Sequence, residues 1–375
     1  MPCQGFSRKI DGIVLFLVII KYDVGSKTMV IEEQYMKLAK ELHDQYGVID
    51  AHLDLAGEIY LRYKRGEQEV IKNHYLKHWK EAGIRLIVSS IYLEDAVIGN
   101  GALEDTIGQI GALLEDIKTL PNEVVQVRTK EDLKKVWDEK KIGIILYMEG
   151  LDGIGDHLEL LYPLYLLGVR GASLTWSRKN AMGIGCCKAG QYEEILGGLT
   201  DCGKEAIKRM EELGMFLDIS HLNNDGFVDL QKTATRPFIA THSNAKKIHK
   251  NYRNLTDEQM EILANQGGIM GLNACKKIVG ATTKEEGLVK ICEHIEYEVS
   301  KIGIDHVGFG TDLCDSYQEA CEDCSFADEP GDCLSNHGEL LKVSALLLQR
   351  GMKKEDLIKI ISKNFYSYFL EMLPK

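Results

Sequence analysis

Val48-Ile49-Asp50-Ala51-His52-Leu53-Asp54-Leu55 is an apolar run that reads as a buried strand ending in His-x-Asp. Side chains two apart on a strand share a face, so the His52 imidazole and the Asp54 carboxylate can converge on one metal ion. A strand end with hydrogen-bonded polar residues would look the same. The pattern further along separates the two readings. Ile142-Gly-Ile-Ile-Leu-Tyr-Met-Glu149, Met215-Phe-Leu-Asp-Ile-Ser-His221, Pro237-Phe-Ile-Ala-Thr-His242 and His306-Val-Gly-Phe-Gly-Thr-Asp312 are strand-like runs that also finish on metal-capable residues. Chance does not place six such residues at equivalent strand ends.

Strand-like runs recur at about 48–55, 84–92, 142–149, 168–176, 215–221, 237–242, 268–274 and 306–312. Between most of them lie helical segments, among them 31–46, 201–213 and 256–265. Thr256-x-x-Gln259 and Thr129-x-x-Asp132 are capping-box patterns that satisfy the first amide donors of a helix. Further helices are expected at 338–350 and 354–370. Regular alternation implies right-handed crossovers and a parallel sheet, and eight repeats predict an α/β fold, a (β/α)8 TIM-type barrel with a metal site at the C-terminal ends of its strands. An open doubly wound sheet would gather ligands at one switch point. Here they come from strands one, three, five, six and eight, which only closure makes neighbours. The expected organisation is a disordered or spurious extension over 1–28, with translation starting at Met29, then one domain over 29–375 carrying a Cys-rich loop insertion at about 314–335.

The net charge is −12, from 57 acidic against 45 basic residues, with no Lys/Arg block. That balance argues against nucleic-acid binding through phosphate contacts and favours a small-molecule substrate. Gly12–Ile20 is apolar but far short of the roughly 20 residues a spanning helix needs, so no stable membrane insertion is expected. With Asp11 intruding and no small-x-small site, it is a poor secretory signal, although secretion is left open. Ten cysteines, two of them adjacent at 186 and 187, do not read as a regular disulfide framework and point to a reducing cytoplasm. Cys314, Cys321, Cys324 and Cys333 could hold zinc or an iron–sulfur cluster, with free thiols the default.

Two hydrolytic cations need a bridging anion and ligands from different directions. Glu149 suits the bridge, His52 and Asp54 would complete one ion's set, and His221 and His242 would serve the other. Zinc, two per chain, is the expected metal from this N/O mixture, with manganese or cobalt as substitutes. Asp312 is placed to orient the attacking water and take its proton. No nucleophile elbow or Gly-rich phosphate motif is present. His74 and His78 read as a solvated helix face. His306 starts a strand at the end away from the ligands. His43, His157, His249, His294 and His337 read as surface residues.

Ile49-Asp-Ala-His-Leu-Asp54, Met148-Glu-Gly150, Leu167-Gly-Val-Arg170, Leu174-Thr-Trp176, Asp218-Ile-Ser-His221, Thr241-His-Ser-Asn244, Arg253-Asn254, Gly267-Gly268 and Gly308-Phe-Gly-Thr-Asp312 follow one another in an order that resembles the membrane dipeptidase (renal dipeptidase) family of zinc peptidases, in a soluble microbial form. The resemblance runs from about residue 45 to 370. It implies hydrolysis of a free dipeptide by a metal-bridging hydroxide, with His52, Asp54 and Glu149 on one zinc, Glu149, His221 and His242 on the other, and Glu149 and Asp312 catalytic. It also implies that Arg253 takes the substrate's C-terminal carboxylate, with Asp312 at the opposite terminus, and that the chain forms a homodimer. Where the renal enzyme has a substrate-binding histidine after Leu-Thr, this chain has Trp176. If that histidine helps polarise the peptide carbonyl, then Arg253, the zinc or a nearby group such as Asn180 takes over the job here, or substrate preference has shifted; Trp176 reads equally as a substrate contact or as a packing residue lining the mouth. Two other readings stand beside it: a related metal-dependent amidohydrolase acting on N-acyl amino acids, lactones or cyclic amides, and a non-catalytic metal-binding or redox-sensing protein.

Overall fold

The computed structural model describes the chain except residues 1–8, 11–12, 15–19, 25–26, 187–195, 323 and 325–330, with backbone alone for the rest of 1–29. The expected extension over 1–28 therefore lies largely outside the described residues. Within it, Lys9–Ile10 pairs with Ile13–Val14, and Ile20–Val24 pairs with Lys27–Ile31, both antiparallel.

The eight predicted runs become the staves of a parallel barrel. Seven are strands: Val48–Leu53, Ile84–Ile91, Ile142–Met148, Val169–Ser173, Phe216–Asp218, Met270–Leu272 and Val307–Phe309. The sixth stave, at residues 239–240, is reduced to two parallel bridges, Ile239 to Asp218 and Ala240 to Met270. Its amides still carry the ladder, Ile239 N–H donating to Leu217 O at 2.9 Å and Ala240 N–H to Ile269 O at 3.0 Å. Phe309 pairs with Asp50 and closes the ring between the last stave and the first. Helices cover the outside and side chains fill the inside, so the first and third staves are buried at every residue. That double coverage is why they read as continuous apolar runs rather than alternating ones. An additional short strand, Val124–Gln126, pairs with the opening of the third stave before the fourth takes over that edge. Its three residues carry no period distinctive enough to read.

Both predicted capping boxes are present: Thr129 and Asp132 open the helix Lys130–Asp138, and Thr256 and Gln259 open Asp257–Asn265. Two glycines let staves six to eight meet. A Cβ on Gly271 would lie 2.1 Å from the Thr241 carbonyl oxygen, and one on Gly310 only 1.6 Å. Backbone cannot yield as a flexible side chain can. Gly310→Ala should therefore destabilise the fold by at least the roughly 1–3 kcal/mol of an overpacked core, read as a lower chemical-denaturation midpoint. An unchanged midpoint would mean that this approach is not a constraint.

Three histidines expected on the surface are buried instead. His43 joins Ala82 O (2.8 Å) to Ser344 Oγ (2.8 Å), tying the helix Glu33–Tyr46 to its neighbours. His294 receives the Ala245 amide at Nδ1 and faces Val279 O at 3.1 Å. His337 holds Asp50 at 2.9 Å. Their partners lie far away in sequence, so spacing gave no signal. Burial depresses His43 and His294 to about 4. The unfolded chain then binds the extra protons between the ordinary value near 6.5 and that depressed value, so stability is full above pH 6.5 and falls as pH drops. Each residue should remove about 2 kcal/mol between pH 7 and 5. In His43→Gln, the slope of unfolding free energy against pH should be shallower over that interval, and an equal slope would refute the assignment.

A candidate metal centre at the barrel mouth

The sequence-predicted ligands converge where the staves end. His52 is in the first stave and Asp54 starts the helix Leu55–Lys64 behind it. Glu149 follows the third stave directly, His221 and His242 lie just past the fifth and sixth, and Asp312 lies three residues past Phe309. His52 Nε2 is 3.6 Å from Glu149 Oε2, 3.7 Å from Asp54 Oδ1 and 3.8 Å from Asp312 Oδ1. The other Glu149 oxygen, Oε1, is 2.7 Å from His221 Nε2 and 3.2 Å from His242 Nε2. All are buried except Asp312, whose side chain is 14% exposed. His52, Glu149 and His242 form one set of mutually close donors, and His52, Asp54 and Asp312 another. His306, in contrast, bonds Gly268 O at the far end, as expected.

A second layer of side chains aims these groups. Asp218 accepts Tyr147 Oη and Thr241 Oγ1, each at 2.5 Å, and the amides of Ser220 and Thr241, each at 2.9 Å. With the Thr241 hydroxyl proton on Asp218, Thr241 Oγ1 is left to accept from His242 Nδ1 at 2.7 Å. That relay fixes the tautomer in which Nε2 carries a lone pair toward Glu149, the arrangement usual for metal-ligating imidazole. Ser177 Oγ meets His221 Nδ1 at 2.7 Å and aims that ring likewise. Asp50 plays the matching part at the seam, accepting the Thr311 amide (2.7 Å), the Thr311 hydroxyl, His337 Nε2 and the His52 amide (3.3 Å). Ser90 bonds Asp54, and Asn273 Nδ2 donates to Asp312 Oδ2 at 2.7 Å.

The electrostatics suit a cation. Burial, and then the charges of His52 and Arg253 nearby, hold His221 and His242 well below the usual imidazole range, so both offer neutral lone pairs. Burial opposes charging His52, yet the carboxylates of Glu149, Asp54 and Asp312 raise it well above that range. Burial and the neighbouring Asp54 raise Glu149 to about 8 and Asp312 to about 6 despite His52. His52 Nε2 is buried without a hydrogen-bond partner. An orphaned imidazole nitrogen, two neutral imidazoles and carboxylates reluctant to ionise are the donor set that a divalent ion satisfies at once.

Arg253 is buried beside this group, its Nη2 donating to His242 O at 3.0 Å. Trp176 lies over His221 with ring centroids 5.5 Å apart and packs on Tyr92 at 5.2 Å, forming one wall of the mouth. Asn180 is turned into its own loop: its Nδ2 donates to Leu174 O and Asp152, and its Oδ1 accepts the Met182 and Gly183 amides. Its side-chain amide is engaged by these groups. Sequence reasoning passed over Asp50, Asp218, Thr241, Ser177 and Asn273. Asp50 had left one sign, a charge inside a buried strand on the same face as His52. The four late cysteines do not share a centre. Cys314 Sγ faces Asp312 O at 3.1 Å, Cys333 packs on Gly287, and Cys321 and Cys324 lie beside Glu94.

The family model described as membrane dipeptidase (peptidase family M19) matches residues 36–371. A metallopeptidase from Rhodobacter sphaeroides, solved with a phosphinate mimic of the dipeptide L-Ala-D-Ala, shares the fold with a TM-score of 0.76 at 24% identity, over 87% of this chain and 99% of that one. The dipeptidase AC, a metallopeptidase of family M19, gives 0.75 at 25% identity over 87% and 98%. Dipeptidase tcpJ of Claviceps purpurea (strain 20.1) is 24% identical over 269 residues, 71% of this chain and 60% of that protein. An uncharacterised protein from the pqqA 5′ region of Klebsiella pneumoniae is 33% identical over 186 residues, 48% of this chain and 69% of that protein. These matches span between 53% and 69% of the curated relatives' lengths. Among the described residues no helix is long and apolar enough to cross a membrane. With a family model covering nearly all of the barrel that carries these ligands, the chain belongs to the membrane dipeptidase family of metallopeptidases, peptidase family M19.

Proposed function

We propose that this chain hydrolyses the peptide bond of free dipeptides at a two-zinc centre, with His52, Asp54 and Glu149 holding one ion and Glu149, His221 and His242 the other. The observation that carries the reading is the Glu149 carboxylate, which turns one oxygen to His52 and the other to His221 and His242. A bridging ligand needs that two-sided exposure, and a merely structural buried glutamate does not. When bound, divalent cations there supply Lewis-acid polarisation of the scissile carbonyl and bring the ionisation of water toward neutral pH.

The protein's own groups do the rest. Arg253 presents a planar fork beside the His242 carbonyl and takes the substrate's C-terminal carboxylate, a task guanidinium geometry fits better than an ammonium. Asp312 takes the proton of the attacking water at Oδ1 while Asn273 holds Oδ2, and its raised affinity for protons suits a base working near neutral pH. It then delivers that proton to the leaving amine. Trp176 and Tyr92 wall the mouth and exclude bulk water, which strengthens the charge interactions inside.

His221→Ala should lose about one equivalent of zinc by elemental analysis and at least about 100-fold in dipeptide turnover, a loss at the upper end of what even an outer-shell change causes. Retention of both ions and of turnover would defeat the ligand assignment. Arg253→Lys keeps the charge and loses the fork, so KM for a free dipeptide should rise about tenfold, equivalent to roughly 1.4 kcal/mol, with kcat little changed. The corresponding dipeptide amide, lacking the carboxylate, should be a poor substrate for wild type and variant alike. Equal penalties on both substrates would put Arg253 in another role, and turnover confined to N-acetyl amino acids would replace the dipeptidase reading itself.

A further inference from the structure

We propose that Glu94, Cys321 and Cys324 form a separate thiolate site for one soft divalent ion of the zinc or cadmium class. Their oxygen and two sulfurs lie within 4.8 Å of one another. Cys321 Sγ is 3.7 Å from Glu94 Oε1. Tetrahedral zinc with a sulfur at ~2.3 Å and an oxygen at ~2.0 Å sets a sulfur-to-oxygen edge of about 3.5 Å, so this pair already stands close to a coordination edge.

The fold assembles the group from remote segments. Glu94 follows the second stave, at the end of the barrel that bears the metal centre, and the cysteines follow the helix Asp315–Ala320. Tyr317 from that helix donates its hydroxyl to Glu94 Oε1 at 3.0 Å, so the element that delivers the thiols also fixes the carboxylate that meets them. Cys324 is buried and Cys321 half-buried. Glu94 and Cys321 border a cavity of about 360 Å³ that also reaches Lys64 and Asp105, with room for a water as fourth ligand. None of the three donors belongs to the set around Glu149. Binding would release both thiol protons to solvent, leaving two thiolates and a carboxylate on the ion, and would tie the segment after the helix to the loop after the second stave.

The test is cadmium titration of the reduced full chain, read as thiolate-to-cadmium charge-transfer absorbance. Wild type should saturate with one equivalent, the Cys321→Ser, Cys324→Ser double variant should give no such signal, and Cys314→Ser should keep it. Glu94→Gln should weaken the affinity by at least the roughly 10–100-fold that loss of a supporting partner costs, and it serves alone if the double variant does not fold. The same signal in wild type and double variant, no signal in reduced wild type, or an unchanged affinity in Glu94→Gln would each overturn the site.

Discussion

Three imidazoles and a glutamate carboxylate, each 7% exposed or less, share one volume at the end of the barrel, and the rest of the architecture answers to that crowding. Each ion removed from water costs several kcal/mol even after relaxation, and only well-aimed partners offset it. The imidazoles cannot all be charged and the carboxylates cannot all ionise, so the protons distribute themselves unevenly: His52 holds on to one, while His221 and His242 give theirs up. Asp218 and Asp50 make this tolerable. Each is buried, each accepts several hydrogen bonds at close range, and each binds the backbone just past a stave that bears a ligand. Rotamer freedom that would let an imidazole turn away from the centre is removed one shell further out.

The backbone carries the same constraint. His221 and Asp312 both sit at positive φ, 69° and 53°, a region that residues with a Cβ enter at a cost of about 1–3 kcal/mol. Each stands where the chain leaves a stave and must turn a side chain back over the mouth. The left-handed residue makes that reversal within one position. Glycine would relieve the strain but supplies no imidazole or carboxylate, so the conformation is held by what surrounds it: the Asp312 amide bonds the His52 carbonyl at 3.1 Å, and the His221 carbonyl receives the Cys186 amide at 2.6 Å. The close approach of Gly271 and Gly310 to the Thr241 carbonyl belongs to the same design. It brings the sixth stave near enough for Thr241 to serve Asp218 and His242 together.

Whatever depends on local period was legible in the sequence. The eight runs, their alternation with helices and both capping boxes follow from patterns a few residues long, and ligand residues at the ends of five runs point to closure. The sixth stave shows how far that reasoning reaches, because its residues pair as a bridge on each side and yet hold their place through the ladder. What stayed hidden depends on contacts across the chain. His337 meets Asp50 at a separation of 287 residues and His43 meets Ser344 at 301, so no spacing rule links them. Asn180 shows the same limit: a polar residue near a ligand reads as available, while its side-chain amide is held by Leu174, Met182 and Gly183 and by Asp152 from another loop. Asp218 was in view within Asp218-Ile-Ser-His221, but its role rests on Tyr147 and Thr241, which arrive from two other staves.

Donor chemistry separates the two clusters at the mouth. Imidazole nitrogen and carboxylate oxygen suit borderline and hard divalent ions, while paired thiolates favour softer ones, so zinc fits both sets and cadmium favours the one around Cys321. Between them stand Tyr92, Trp176 and Tyr317, with Trp176 over His221 on one side and Tyr317 bonded to Glu94 on the other. The apolar faces of these rings form a wall between the two sets. The same packing gives a physical route by which an ion held at Cys321 and Cys324 would bear on the mouth. Tyr317 touches Tyr92, Tyr92 touches Trp176, and Trp176 covers the ring whose Nε2 faces the Glu149 carboxylate. Close-packed side chains transmit a displacement rather than absorb it, so pinning one end of that row limits where the other end can sit.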